Sequence, residues 1–295
     1  MPITTSLTLR GIPYTENEDT SAHVSMKAGG KAAVFITPRN LTELIHACSA
    51  TKMCGKIPIV LGNGTNTVFS DGGVVRPVVS TLGLASISVD GEYITTDCGS
   101  KLSAVAMAAA NAGLTGLEFA HGIPGTVGGA VFMNAGAYGG EIKDVLDSVT
   151  YFDGEIVTKP AKDLFFGYRE TTFSKGGQLI LSAVFKLKKG NEAEIKAKMK
   201  ELAAARREKQ PLELPSAGSV FKRPVGSFAG KLIEDAGLKG LTVGGMQVSV
   251  KHAGFIVNIG GGTETDFENL VKEVQKRVKE NSGVELTPEV RIIKD

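Results

Sequence analysis

The sequence is poor in the residues that build metal sites and disulfide frameworks. Its 295 residues include only three cysteines and four histidines. Cys48, Cys54 and Cys98 form no CxxC pair, and no His/Cys/Asp/Glu cluster has ligand spacing. That pattern excludes a zinc ribbon and argues against a metal enzyme, so no metal is expected. An odd number of isolated cysteines fits a reducing cytosol, where each serves as a small buried apolar side chain. Net charge is equally sparse. With 33 basic and 31 acidic residues the formal charge is +2, too little for a broad nucleic-acid footprint but compatible with one anionic pocket. Long apolar runs are missing too. The most apolar window, Leu102 to Ala110, is far short of the ~20 residues that span a bilayer, and Met1 to Gly11 carries no signal-peptide core. No GxxxxGK[ST] occurs, which excludes an ATP or GTP P-loop. A cytoplasmic protein with neither nucleic acid nor membrane as partner is expected.

Glycine, by contrast, is abundant. There are 37 glycines against 11 prolines, clustered in loops between apolar runs without any repeat. This suggests backbone packed closely against a ligand. The length allows two or three small modules, and 42% hydrophobic with 22% charged content is ordinary for a globular chain.

The hydrophobic pattern predicts a strand over Ala33–Ile36 and a helix whose apolar face is Leu41, Leu44, Ile45 and Cys48. A buried strand follows at Pro58–Leu61. Ile87–Val89 and Tyr93–Thr96 flank Asp90-Gly91, a hairpin signal. Ser100 is the expected cap of a helix reaching Asn111. Another hairpin turns at Asp153-Gly154, and Leu179–Leu187 is a strand. A charged helix over 191–210, opened by Asn191 and Glu194 and ended by Pro211, connects to a third module. There a helix near Ser227–Ala236 and strands near Gln247–Val250 and Gly254–Asn258 are expected. The last helix, Asp266 to Asn281, uses Phe267, Leu270, Val271, Val274 and Val278, and Gly283 stops it.

Two glycine-rich stretches carry chemistry. Gly62-Asn63-Gly64-Thr65-Asn66 follows a strand but lacks the third glycine and the helix start of a dinucleotide fingerprint. It reads either as a nest of N–H groups for phosphate oxygens or as a plain loop. Gly122-Ile123-Pro124-Gly125-Thr126-Val127-Gly128-Gly129-Ala130 and Asn134-Ala135-Gly136-Ala137-Tyr138-Gly139 surround a short apolar run, Ala130 to Met133. Both are read either as loops able to approach a flat or charged ligand or as a glycine-rich packing corner.

Taken in order, these stretches resemble a known family. Lys27-Ala28-Gly29-Gly30, the Gly62 and Gly122 loops, Asn134 to Tyr138, Tyr168-Arg169, Ala217-Gly218-Ser219-Val220-Phe221-Lys222, His252-Ala253-Gly254-Phe255 and Pro288-Glu289-Val290-Arg291 together resemble the UDP-N-acetylenolpyruvoylglucosamine reductases (UDP-N-acetylmuramate dehydrogenases) over nearly the whole chain. The resemblance implies an α+β fold: a vanillyl-alcohol-oxidase-type (PCMH-type) FAD-binding domain of two α+β subdomains, 1–85 and 86–190, and a C-terminal α+β substrate-binding domain, 191–295. It implies non-covalent FAD, NADPH as electron donor, and UDP-N-acetylglucosamine enolpyruvate as the substrate reduced to UDP-N-acetylmuramate for peptidoglycan. A monomer is expected. The short stretch after Lys222-Arg223-Pro224 is similar to the shorter subclass, which lacks a tyrosine-loop insertion, and Arg223 stands where many relatives have asparagine.

Site roles follow from the resemblance. Gly62, Asn63, Gly64, Thr65, Asn66, Gly122, Ile123, Pro124, Gly125, Thr126, Gly128, Gly129, Ala130 and Asn134 would bind the cofactor. Arg169 would stabilise the enolate formed when hydride adds to the enolpyruvyl double bond; its planar fork suits a carboxylate that gains charge. Ser219 would protonate that carbon. Glu289 would be a second acid, with a pKa raised beside the substrate carboxylate. Tyr168, Arg206, Lys222 and Arg223 would contact substrate, although Arg206-Arg207 reads equally as the solvated face of the connector helix. The rival readings are a flavin oxidase of the same fold, with His121 near a flavin loop as a candidate tether, and a flavin-bearing binding module without turnover.

Overall fold

The computed structural model describes residues 2–295. Contacts divide the chain into two compact units, each assembled from three segments. The first comprises Met1–Thr15, Val34–Asn63 and Arg76–Arg206; the second comprises Glu16–Ala33, Gly64–Val75 and Arg207–Asp295.

The first unit contains a short helix α1 (Ile3–Leu9) and α2 (Leu41–Met53). α2 starts where the Asn40 side chain accepts a hydrogen bond from the Glu43 amide at 2.9 Å, satisfying one orphan donor of the first turn. Its Leu44, Ala47 and Cys48 are buried. The strand Val78–Ser80 lies between Lys31–Ile36 and Ile59–Leu61, parallel to both. The expected buried strand at Pro58–Leu61 is only half so, because Val60 points outward. A larger antiparallel sheet follows the order Ile156–Pro160, Leu146–Phe152, Leu179–Lys186, Tyr93–Asp97, Ile87–Asp90. Both expected hairpins are part of it.

Two helices cover this sheet's core. α3 (Leu102–Asn111) buries Leu102, Val105, Ala106, Ala109 and Ala110. Its N-cap is Lys101 and makes no side-chain cap; the Ser100 hydroxyl instead donates to the Ser86 carbonyl at 3.0 Å. The capping role expected for Ser100 is thereby corrected: the helix begins one residue later, with Lys101 at the cap, and the Ser100 hydroxyl bonds the Ser86 carbonyl instead. α4 (Val127–Met133) was not anticipated. Gly128 and Gly129 lie inside it, and the Thr126 side chain caps it by accepting from the Gly129 amide at 3.4 Å. Glycine here reflects close packing, since a Cβ on Gly128 would stand 3.0 Å from Cys98 Cβ. The long helix α5 (Glu192–Lys209) begins with the Asn191 side chain accepting from the Ala193 and Glu194 amides.

The second unit carries an antiparallel sheet in the order Ser216–Ser219, Phe255–Asn258, Met246–Val248, Thr242–Val243. α6 (Ala229–Asp235) and α7 (Glu264–Ser282) pack with it. All five apolar residues expected on the last helix are buried. α7 starts earlier than expected because it is capped twice. Thr263 and Asp266 form a capping box, and the Asp71 carboxylate accepts from the Glu264 amide (2.7 Å), the Thr265 amide (2.9 Å) and the Thr265 hydroxyl (2.7 Å). Gly283 ends it at φ 73°, a left-handed stop that glycine adopts without penalty. The early segments are tied in by polar bonds: Ser25 Oγ to the Ser216 carbonyl, 2.5 Å, and Asn258 Nδ2 to the Met26 carbonyl, 3.1 Å. Thr67–Phe69 pairs in parallel with Arg291–Ile293. Among the described residues no helix is long and apolar enough to cross a membrane, and no group of three or more His, Cys, Asp or Glu is placed to hold a metal ion.

Candidate active site

The expected site residues fall into both units. Gly62, Asn63, the Gly122–Ala130 stretch, Asn134, Tyr168, Arg169 and Arg206 belong to the first. Gly64, Thr65, Asn66, Ser219, Lys222, Arg223 and Glu289 belong to the second.

In the first unit the Gly62 turn packs on the Gly122 loop. Asn63 Nδ2 donates to the Pro124 carbonyl at 2.6 Å. A Cβ on Gly62 would collide with Thr126 Oγ1, so only glycine fits. The Val127 and Gly128 amides are used internally, by the Ser100 and Cys98 carbonyls. Those of Gly122, Gly125 and Thr126 carry no hydrogen bond among the described residues. Neither does the buried Nδ1 atom of His121. Backbone amides left without an acceptor in a glycine-rich loop mark a place where a ligand can supply one. Arg206 adds a cation. A Cβ on Gly122 would lie 3.2 Å from Arg206 Cδ. Burial lowers the Arg206 pKa, with Tyr138 opposing, and no carboxylate pairs with it among the described residues. Arg207 is exposed. The two arginines thus differ in surroundings: Arg206 lies against the Gly122 loop, and Arg207 faces solvent. The loop amides fit the pyrophosphate of a flavin dinucleotide.

The C-terminal end of α4 leads to Arg169. Asn134 is fully buried and left-handed, at φ 43°. Its side-chain amide donates to Glu141 Oε2 and to the Gly167 carbonyl, both at 3.0 Å, and its side-chain oxygen accepts from the Lys143 amide at 3.1 Å. Arg169, also left-handed at φ 55°, follows Tyr168 in a turn between the paired segments Phe166–Gly167 and Glu170–Thr171. A non-glycine residue held there costs roughly 1–3 kcal/mol, a strain that clusters at functional sites. The guanidinium donates to the Asn134 carbonyl (3.3 Å) and the Gly136 carbonyl (3.0 Å) and lies 5.1 Å from the half-exposed Tyr168 ring. A hydrogen bond from Lys143 holds the Glu141 carboxyl below the usual range against burial, with Asn134 and the Arg169 charge adding to it.

In the second unit Ser219 and Glu289 are neighbours through the backbone. The Glu289 amide donates to the Val220 carbonyl at 2.7 Å, and the Val220 amide donates to the Gly254 carbonyl at 2.9 Å. Ala217, Val220 and Phe221 are buried while Ser219 is exposed. Gly218, at φ 78°, makes the kink that turns the serine outward, and the sheet register shifts between Ser216 and Ser219. Asn66 joins the group: its Nδ2 donates to the Glu289 carbonyl at 3.3 Å, and its carbonyl accepts from the Arg291 amide at 3.0 Å. The Gly64 and Thr65 amides form no hydrogen bond among the described residues. Gly64 is left-handed (φ 61°), and a Cβ there would collide with the His23 carbonyl. The Lys222 amide bonds to the Thr287 carbonyl at 2.8 Å. Arg223 lies 4.4 Å from the exposed Phe228 ring, and only Val225–Phe228 separate Pro224 from α6. His252 serves packing: its Nδ1 accepts from the Gly254 amide at 3.1 Å, and its ring meets Phe255 edge-on.

Sequence reasoning missed Asp71, Asn258, Glu141 and Lys143. For Asp71 a signal exists, an acid followed by Gly72-Gly73. For the others the partners lie far away in sequence or in an unremarkable polar stretch.

Comparison with known proteins identifies the family. A family model described as an FAD binding domain matches residues 32–158, and one described as the UDP-N-acetylenolpyruvoylglucosamine reductase C-terminal domain matches residues 210–293. The chain is 47% identical over 281 residues to UDP-N-acetylenolpyruvoylglucosamine reductase 2 of Bacillus cereus, covering 94% of this chain and 92% of that one. It is 47% identical over 287 residues to the UDP-N-acetylenolpyruvoylglucosamine reductase of Streptococcus pneumoniae, covering 97% and 95%. Among solved structures, the UDP-N-acetylenolpyruvylglucosamine reductase of Thermus caldophilus matches with a TM-score of 0.81 at 33% identity, over 96% of this chain and 99% of that one. Berberine bridge enzyme from Eschscholzia californica shares the fold alone, with a TM-score of 0.50 at 18% identity over 65% of this chain and 44% of that one. The fold is therefore α+β with a vanillyl-alcohol-oxidase-type FAD-binding domain, as the resemblance implied. At this identity, sustained over almost its full length, the chain belongs to the UDP-N-acetylenolpyruvoylglucosamine reductase family.

Proposed function

We propose that this chain reduces UDP-N-acetylglucosamine enolpyruvate to UDP-N-acetylmuramate, with non-covalent FAD and NADPH, in peptidoglycan precursor synthesis. The observation that carries the reading at residue level is the junction of Ser219 and Glu289 through Val220. It brings the backbone of a residue with a hydroxyl beside that of a residue with a carboxyl, both of them groups able to deliver a proton.

FAD, when bound, would supply the hydride chemistry that links NADPH to the enolpyruvyl double bond. Gly62, Asn63, Gly64, Thr65, Asn66, Gly122, Ile123, Pro124, Gly125, Thr126, Gly128, Gly129, Ala130 and Asn134 form the cofactor-binding set. Within it, the unbonded amides of Gly122, Gly125 and Thr126 are the donors for its phosphates. Arg169 stabilises negative charge growing on the substrate carboxylate; its two backbone acceptors orient the fork without cancelling its charge. Ser219 delivers the proton to the adjoining carbon, and Glu289 donates a hydrogen bond to the carboxylate. Tyr168, Arg206, Lys222 and Arg223 bind the rest of the substrate. Functionally the chain divides into FAD-binding subdomains at 1–85 and 86–190 and a substrate-binding domain at 191–295. A cytoplasmic monomer serving cell-wall growth and division completes the reading.

The test is optical. Purified protein should be yellow, release all its colour on acid precipitation, bleach with NADPH under anaerobic conditions, and recover when the enolpyruvyl sugar is added. A colourless protein, or colour that NADPH bleaches but the sugar does not restore, refutes the assignment. Colour that stays with the acid precipitate would favour the tethered oxidase.

A further inference from the structure

Arg169 is held by an assembly that the reaction scheme leaves unused. Its backbone sits in the left-handed region without being glycine, so its surroundings must impose that conformation. The bonds that do so converge on Asn134, itself left-handed and fully buried at the end of α4. The Asn134 carbonyl receives the guanidinium Nη1 at 3.3 Å. Its side-chain amide donates to the Gly167 carbonyl at 3.0 Å, two residues before Arg169. One residue thus fixes both the head of Arg169 and the turn from which it springs. From the other side of that turn, the Thr171 hydroxyl donates to the Phe132 carbonyl at 2.9 Å, on the last turn of α4.

A brace completes the arrangement. The second amide hydrogen of Asn134 goes to Glu141 Oε2, 3.0 Å, and its oxygen takes the Lys143 amide, 3.1 Å. Every hydrogen-bonding position of the amide plane that points to protein is then used, which locks its orientation. Glu141 is a carboxylate close to a guanidinium that must serve a different carboxylate. Lys143 answers it with an ammonium 2.8 Å away, so the acid is paired before it competes for Arg169.

We propose that Asn134 is a positioning residue for Arg169, with the Glu141–Lys143 pair as its brace, and that this assembly aims the guanidinium charge at the enolate carboxylate. The inference rests on the reading of Arg169 as enolate stabiliser.

The test uses holoenzyme and follows the two half-reactions separately. Asn134→Gly keeps the left-handed backbone and the carbonyl but deletes the amide. It should slow flavin reoxidation by the enolpyruvyl sugar on the order of 10²-fold, the cost of a small misplacement of a catalytic group. Reduction by NADPH is followed on the same samples to read any effect on the cofactor set, and reoxidation should fall by the larger factor. In an Arg169→Met background the same change should add almost nothing, because an amide that acts through Arg169 is silent without it. Independent, multiplicative losses overturn the proposal. So does a slowed Arg169→Met beside a normal Asn134→Gly, which leaves the enolate reading standing. An Arg169→Met that reoxidises normally overturns that reading itself. Should the buried Asn134→Gly fail to fold, the exposed brace gives a second measurement. Lys143→Gln should slow flavin reoxidation by saturating enolpyruvyl sugar about fivefold, as expected for one ion pair at the surface, and adding Glu141→Gln should restore it. An unchanged rate, or no restoration, overturns the proposal as well.

Discussion

Replacing Ser219 by alanine separates its chemistry from its structure. The hydroxyl is exposed and forms no hydrogen bond among the described residues. The strand around it is held by backbone bonds that alanine keeps, from the Val220 amide to the Gly254 carbonyl and from the Glu289 amide to the Val220 carbonyl. Its apolar neighbours Ala217, Val220 and Phe221 are already buried, so no cavity opens. The stability change should stay within about 0.5 kcal/mol, as for surface substitutions away from special features. That is about 2 °C in Tm at most. Loss of a positioned general acid costs about 10²–10⁴-fold, or roughly 2.7–5.4 kcal/mol of barrier. All of it should fall on one half-reaction. Anaerobic stopped-flow absorbance near the flavin maximum reads both: bleaching by NADPH at the wild-type rate, and recovery with the enolpyruvyl sugar slowed by that factor. Equal slowing of both phases, or a normal recovery, refutes the proton-donor role. A Tm fall of several degrees would show that the hydroxyl has a structural partner and that this accounting is wrong.

Three further outcomes follow from the packing. Asp71→Ala removes three bonds at the start of α7 and should cost about 1–2 kcal/mol, read as a lower urea midpoint; an unchanged midpoint would mean Thr263 and Asp266 suffice. Burial pushes the Cys48 and Cys98 thiols up to about 12, so a thiol reagent at pH 8 should label only the exposed Cys54, and the other two only on unfolding. Burial also holds His252 below its ordinary value of 6.5. The unfolded chain binds that proton first, so the contribution is fully present above about pH 6.5 and fades as pH falls toward the folded pKa. Urea midpoints from pH 7.5 to 5.5 should fall less steeply in His252→Asn than in the wild type; parallel slopes would remove His252 from the account.

Local order was legible where the code is local. The apolar spacing of Phe267, Leu270, Val271, Val274 and Val278 gave α7, and Gly283 its end. The hairpins at Asp90-Gly91 and Asp153-Gly154 were equally plain. α4 was hidden because Gly128 and Gly129 are weak helix formers; close approach to Cys98 outweighs their propensity. The gathering of Ser219, Glu289 and Asn66 depends on pairing between distant segments, which leaves no periodic mark. The same holds for the tie between Asn258 and Met26. Glycine motifs pointed to a ligand, and the ordered resemblance named it. What neither conveyed was how Arg169 is held, because Asn134 looked like one more member of a glycine loop.

The parallel pairing of Thr67–Phe69 with Arg291–Ile293 has a consequence for biosynthesis. About 220 residues separate the partners, so the earlier strand leaves the ribosome with an open edge. At roughly 5–20 residues per second it waits about ten to forty seconds for its mate. Glu289 and the carbonyl that Asn66 holds arrive in that same late stretch. A nascent chain can therefore complete much of its first unit before the Glu289 segment emerges. A stall ahead of Arg291 would leave the Thr67–Phe69 strand without this mate and exposed to chaperones.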